Sequence, residues 1–121
     1  MTTERPQGST DPLTIEGTDS GDFWYLMRLS GEFDMNGSTP FRSAVNDALG
    51  RGRRHIAVDA GAIAFMDSSG LRALVSARAD VEAAAGTFRL TTVSDSVARL
   101  LDLVALSDEL LDRRHGQRPP S

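Results

Sequence analysis

"AIAFMDSSGLRALVSA" (62–77) is the stretch on which the fold turns. An apolar run stops at Asp67-Ser68-Ser69-Gly70, and apolar residues then recur at helical spacing. Leu71, Leu74, Val75, Arg78 and Ala79 mark one helix face, and Gly86 is placed to end that helix. A strand therefore hands over to a helix through an acid, two hydroxyls and a glycine. Just upstream, "HIAVDA" (55–60) reads as a short buried strand, and "GAIAFM" (61–66) leads from it to the seam. Downstream, "TFRLTTV" (87–93) is a further strand. "SDSVARLLDLVAL" (94–106) opens with a capping serine and repeats Val97, Leu100, Leu101 and Val104 on one face.

Toward the N-terminus, "PLTIEG" (12–17) and "FWYLMRLSG" (23–31) read as strands around the turn cluster "TDSGD" (18–22), a hairpin with Phe23 and Trp24 as its packing residues. "GEFDMNGST" (31–39) reads as a loop. A helix follows with Pro40 at its first position, Ser38 or Thr39 as cap, and Phe41, Ala44, Val45, Ala48 and Leu49 on its inner face. "RGRR" (51–54) reads as a solvated helix end. No internal repeat is visible. The order β-β-α-β-α-β-α predicts an α/β domain: a mixed, mostly parallel-type sheet flanked by helices. The domain is expected over residues 12–111, with a disordered tail at 1–11 and a flexible one at 112–121. In such sheets functional residues gather where strands end and helices begin. Two junctions qualify, 31–39 and 67–70.

Composition narrows the chemistry. The 121 residues carry a net charge of −4, which argues against nucleic acid as the main partner. There is no cysteine, so disulfides, thiolate metal sites and cysteine catalysis are excluded. All 13 basic residues are arginine, which removes the lysine a Walker-type phosphate loop requires. No apolar run approaches a membrane span and the first residues hold no signal core, so a soluble cytoplasmic protein without membrane, metal or cofactor is expected.

Three readings compete for Asp67-Ser68-Ser69-Gly70. A nucleophilic serine needs a base in reach. His115 lies in the tail, and His55 begins a strand whose far end precedes Ser68, which at ~3.3 Å per residue puts it roughly 20 Å or more away. There is no Gly-x-Ser-x-Gly elbow and no lysine for a dyad. An aspartyl-phosphate receiver at Asp67 lacks both its acidic pair and its lysine. A serine written with phosphate is the second reading: a helix N-terminus offers free N–H groups and a favourable dipole to an anion. The third is a plain turn in which Asp67 or Ser68 caps the helix and Gly70 lets backbones pack closely. The residues alone favour this last reading and leave the phosphate reading open.

A resemblance adds to them. "LSGEFD" (29–34), a Pro-started helix, "FMDSSGL" (65–71) and "TTVSDSVARLLDLVAL" (91–106) together resemble the STAS domain of anti-sigma factor antagonists, over roughly residues 12 to 111. The resemblance implies a non-enzymatic binding module. When unphosphorylated, such a protein captures an anti-sigma factor that is also a GHKL-type serine kinase, and so frees a sigma factor. The kinase phosphorylates the first serine of Asp-Ser-Ser-Gly, here Ser68, and a PP2C-type phosphatase resets it. By the same resemblance Asp34, Asp67 and Ser69 flank the partner site, and Gly70 and Leu71 start the helix that faces the partner. Arg72 is added as a contact on position alone. The helix after "GEFD" and Ala105 depart from the common pattern. The alternative is a constitutive STAS adaptor in a signalling scaffold or transporter complex, with Ser68 only a helix cap.

Overall fold

A computed structural model describes residues 11–21 and 23–103. The elements run β1 (Thr14–Ser20), β2 (Trp24–Phe33), α1 (Met35–Gly50), β3 (His55–Met66), α2 (Ser68–Ala83), β4 (Thr87–Val93) and α3 (Asp95–Leu103). The expected order and fold class hold. The four strands lie in the order β1-β2-β3-β4, with β1 antiparallel to β2 and the other pairs parallel. The crossovers through α1 and α2 step the same way across the sheet, which puts both helices on one face, where they pack against each other. Alternate strand residues bury there: Met27 and Leu29, Ile56 and Val58, Phe88 and Leu90. Phe41, Val45, Leu74 and Ala77 meet them from the helices, and α3 adds Val97 and Leu101. The opposite face carries Trp24, tilted against His55 with ring centroids 5.4 Å apart, and Arg28 beside Asp59 at 3.5 Å.

Several sequence expectations change in detail. β1 continues through Ser20, so the hairpin turn is shorter than the polar cluster suggested. Phe23 is 70% exposed, so only Trp24 packs as expected. Residues 61–66 remain strand, because pairing with β2 carries β3 to Met66. The stretch 31–39 is not a loop. β2 extends to Phe33, Asp34 caps α1 in place of Ser38 or Thr39, and Pro40 lies inside the helix. Pro40 forgoes one backbone hydrogen bond there, a loss the buried Phe41-Val45-Ala48 face outweighs. The buried face of α2 is Gly70, Leu71, Ala73, Leu74, Ala77 and Val81, while Val75 and Ala79 face solvent. The arginines of 51–54 are engaged: Arg53 pairs with Asp19, Arg54 with the Leu49 carbonyl, and Arg51 lies over the Tyr25 ring. Ser94 caps α3 as expected, its Oγ accepting from the Val97 N–H at 3.4 Å. Val104, Ala105, His115, residues 1–10 of the expected N-terminal tail and the tail at 112–121 fall outside the described residues, as does the rest of the segment beyond Leu103. Asp11, the last residue of the expected N-terminal tail, accepts the Glu32 N–H through its carbonyl at 3.1 Å.

Gly86 ends α2 as expected, but by a different device from a left-handed glycine cap. Gly86 donates to Val81 O at 2.9 Å and Ala85 to Glu82 O at 2.9 Å, the paired bonds of a Schellman ending. The left-handed residue is therefore Ala85, at φ 65°, and not Gly86. Gly86 is needed for a different reason. A β-carbon there would collide with the Arg54 carbonyl, which receives the Thr87 N–H at 2.8 Å. Ala85→Gly should consequently stabilise the fold by about 1 kcal/mol, since the strain removed exceeds the extra chain entropy of glycine. Urea unfolding at neutral pH measures it, and no gain would contradict the assignment.

Candidate functional site

Phe33 and Met66 are paired in register at the ends of β2 and β3. The next residues, Asp34 and Asp67, therefore stand together at one end of the sheet and start α1 and α2. Both are N-caps with extended backbones. Asp34 Oδ1 accepts the Asn36 N–H at 3.0 Å. Asp67 Oδ1 accepts the Ser69 N–H at 2.9 Å and the Gly70 N–H at 3.1 Å. A carboxylate at this place satisfies otherwise unpaired donors and complements the helix dipole. The cap is thus Asp67 and not Ser68.

The two junctions repeat one device. Phe33-Asp34-Met35-Asn36-Gly37 and Met66-Asp67-Ser68-Ser69-Gly70 share an apolar strand end, a capping aspartate and a buried glycine three residues on. Both glycines press on Phe33. A β-carbon at Gly37 would lie 3.4 Å from its ring, and one at Gly70 would collide with its carbonyl oxygen. Phe33 is itself fully buried, edge-on to Phe41 with centroids 5.2 Å apart. Ser38 joins the two helix starts: its Oγ lies 3.2 Å from both Asp34 O and Ser69 O, so its single proton serves one carbonyl at a time. The Asp67 N–H points to Phe33 O at 3.4 Å.

This packing sorts the predicted site residues. Gly70 and Leu71 are buried, Leu71 in the core, so they shape the seam from beneath. Asp34, Asp67 and Ser69 are half-buried and occupied by capping and backbone bonds. Ser68 and Arg72 are exposed, one turn apart on α2. The Ser68 hydroxyl has no hydrogen-bond partner among the described residues, so no base is positioned to activate it. His55 is at the opposite end of β3, against Trp24. Among the described residues no cluster of three or more His, Asp or Glu could hold a metal ion, and no helix is long and apolar enough to cross a membrane. Sequence reasoning did not single out Phe33, and it gave Ser38 the role of a helix cap instead of the link between the two helix starts. The recurrence of Asp-x-x-Gly after two strand ends was the signal available.

A family model described as "Mlab, STAS domain" matches residues 24–112. The chain belongs to the STAS domain family. Among solved structures, an anti-sigma factor antagonist from Mycobacterium paratuberculosis superposes with a TM-score of 0.72 at 20% identity, covering 82% of this chain and 83% of that one. The anti-sigma factor antagonist SpoIIAA in its unphosphorylated form gives 0.70 at 22% identity, with 85% and 97% covered. The phosphorylated form of SpoIIAA, described as a Bacillus cell-fate determinant, gives 0.65 at 22% identity, with 81% and 89% covered. At these identities the likeness is one of fold.

The seam geometry predicts a contrast. Gly70→Ala should cost about 1–3 kcal/mol, because the new methyl would collide with the Phe33 carbonyl oxygen, a backbone atom that cannot swing aside, and would crowd the side chains of Met66 and Phe33 at 3.0 Å. Asp67→Ala, which frees two N–H groups to water, should cost about 1 kcal/mol. Denaturant midpoints read both, and a Gly70→Ala protein as stable as the parent would refute the contact.

Proposed function

We propose that this STAS domain is an anti-sigma factor antagonist switched off by phosphorylation of Ser68. The supporting observation is the division of labour at the seam: Asp67 does the capping, so the exposed Ser68 hydroxyl carries no structural task and can be changed without unfolding the helix. The partner is an anti-sigma factor with GHKL-type serine kinase activity, which holds the ATP. Ser68 Oγ attacks the γ-phosphorus; the Oγ–P bond forms as the bond to the ADP oxygen breaks, and the hydroxyl proton passes to a base on the kinase. A PP2C-type phosphatase returns the serine by hydrolysis. The domain itself is substrate and binding module, without catalytic residues of its own.

The phosphate acts through charge. It adds about −1.5 to −2 units beside Asp67 and Asp34. A partner surface fitted to the neutral seam would have to desolvate that charge on docking. The fold similarity to SpoIIAA in its unphosphorylated and phosphorylated forms is in keeping with a domain that keeps its fold through such a change.

A second reading is a constitutive STAS adaptor in a signalling scaffold or transporter complex, which fits the family match equally well, since that match is to the STAS domain itself. Binding separates the two. Ser68→Ala should bind the kinase like the parent and resist modification, whereas Ser68→Asp should keep its circular dichroism and bind at least about tenfold more weakly, ~1.4 kcal/mol. Calorimetric titration against the purified kinase measures both. Equal binding by Ser68→Asp would remove the switch and leave the adaptor.

A further inference from the structure

Arg72 differs from most described arginines in having no partner among the described residues. Arg28 meets Asp59, Arg42 meets Asp80 at 2.9 Å, Arg53 meets Asp19, and Arg78 meets Glu82. Arg72 is exposed and has no hydrogen bond, ion pair or ring contact among the described residues. Its own helix offers none: the residues three and four away are Ser68, Ser69, Val75 and Ser76, with no carboxylate. Further along α2, Arg78 and Glu82 close an i,i+4 bridge at 3.1 Å, so the helix uses that spacing where an acid is present. At Arg72 the residue one turn toward the N-terminus is Ser68, neutral until it is modified. An anion at i with a cation at i+4 is the favourable order along a helix. The equivalent positions of α1 are Met35 and Thr39, so the pairing is particular to α2.

We propose that Arg72 is the intramolecular clamp for a phosphate on Ser68, a proposal that rests on the reading of Ser68 as phosphoacceptor. In the unmodified protein Arg72 lines the groove between α1 and α2 together with Met35, Ser38 and Arg42. Arg42 is held by Asp80, which leaves Arg72 as the cation of that groove open to a partner's carboxylate. After modification its planar fork turns to the phosphate oxygens one turn above, a charge-assisted contact suited to guanidinium geometry. Phosphorylation then changes the surface twice: it adds negative charge at the seam and withdraws positive charge from the groove.

The test installs phosphoserine directly at position 68 of the full chain by genetic encoding. The phosphorus-31 shift is then followed against pH in the parent, Arg72→Gln and Arg72→Lys backgrounds. The phosphate's second ionisation should fall about 0.2–0.4 pH units lower with Arg72 than with glutamine. Lysine should give an intermediate value, and added salt should shrink the difference. Identical titrations in the arginine and glutamine proteins would overturn the clamp. Because the phosphoserine is placed without a kinase, this outcome is independent of whether Ser68 is phosphorylated in the cell. Arg72 and Ser68 both lie at the surface, and circular dichroism of each variant verifies the fold before titration.

Discussion

The approach of α2's first turn to the carbonyl of Phe33 is the constraint on which the rest of the structure depends. Only a glycine at position 70 leaves room for it. Once the turn is seated, Phe33 closes over Phe41, Leu71 enters the core and α2 lies on the sheet beside α1. The parallel pairing of Phe33 with Met66 then places both strand-to-helix transitions at the same sheet end. Two aspartates follow from this, each at a helix start whose N–H groups need an acceptor. Gly37 repeats the requirement on the other side of Phe33, less tightly, with Leu13 as its nearest neighbour.

A seam built in this way is stiff in its backbone and permissive at one side chain. Asp34, Asp67, Ser38 and the two glycines are all committed to holding the helix starts together, whereas Ser68 projects from the first position of α2 with no such commitment. That separation matters for a regulatory modification. A phosphate on a capping side chain would compete with the helix for the same donors. A phosphate next to the cap meets the helix dipole instead, and its effects fall on whatever docks there.

Much of this was legible in the sequence, and the failures have particular causes. The change of hydrophobic period at Ser68 announced strand then helix, and the order of elements followed from the same period changes. The α1 boundary was misplaced because Pro40 and its two hydroxyl neighbours look like a helix start. Only the strand pairing of Glu32 and Phe33 reveals that β2 runs on and that Asp34 caps. Val75 and Ala79 were assigned inward because a helical stripe can be drawn through either side of Leu71-Leu74, and packing against the sheet chooses Ala73 and Ala77. At the site, Asp67 and Ser68 were both candidates for the cap, a choice that hydrogen-bond geometry settles and composition does not. The bond from Ser38 to Ser69 spans 31 residues, and no local pattern encodes it.

The central claim is that Ser68 alone is the position where the cell writes on this domain. Intact-mass measurement with peptide mapping, on protein isolated from its native host across growth conditions, tests it most directly. The account predicts a singly phosphorylated population with the phosphate on the exposed Ser68, and none on Ser38, whose hydroxyl is bonded into the seam, or on the half-buried Ser69. A chain that stays unmodified in every condition, or carries its phosphate elsewhere, would contradict it.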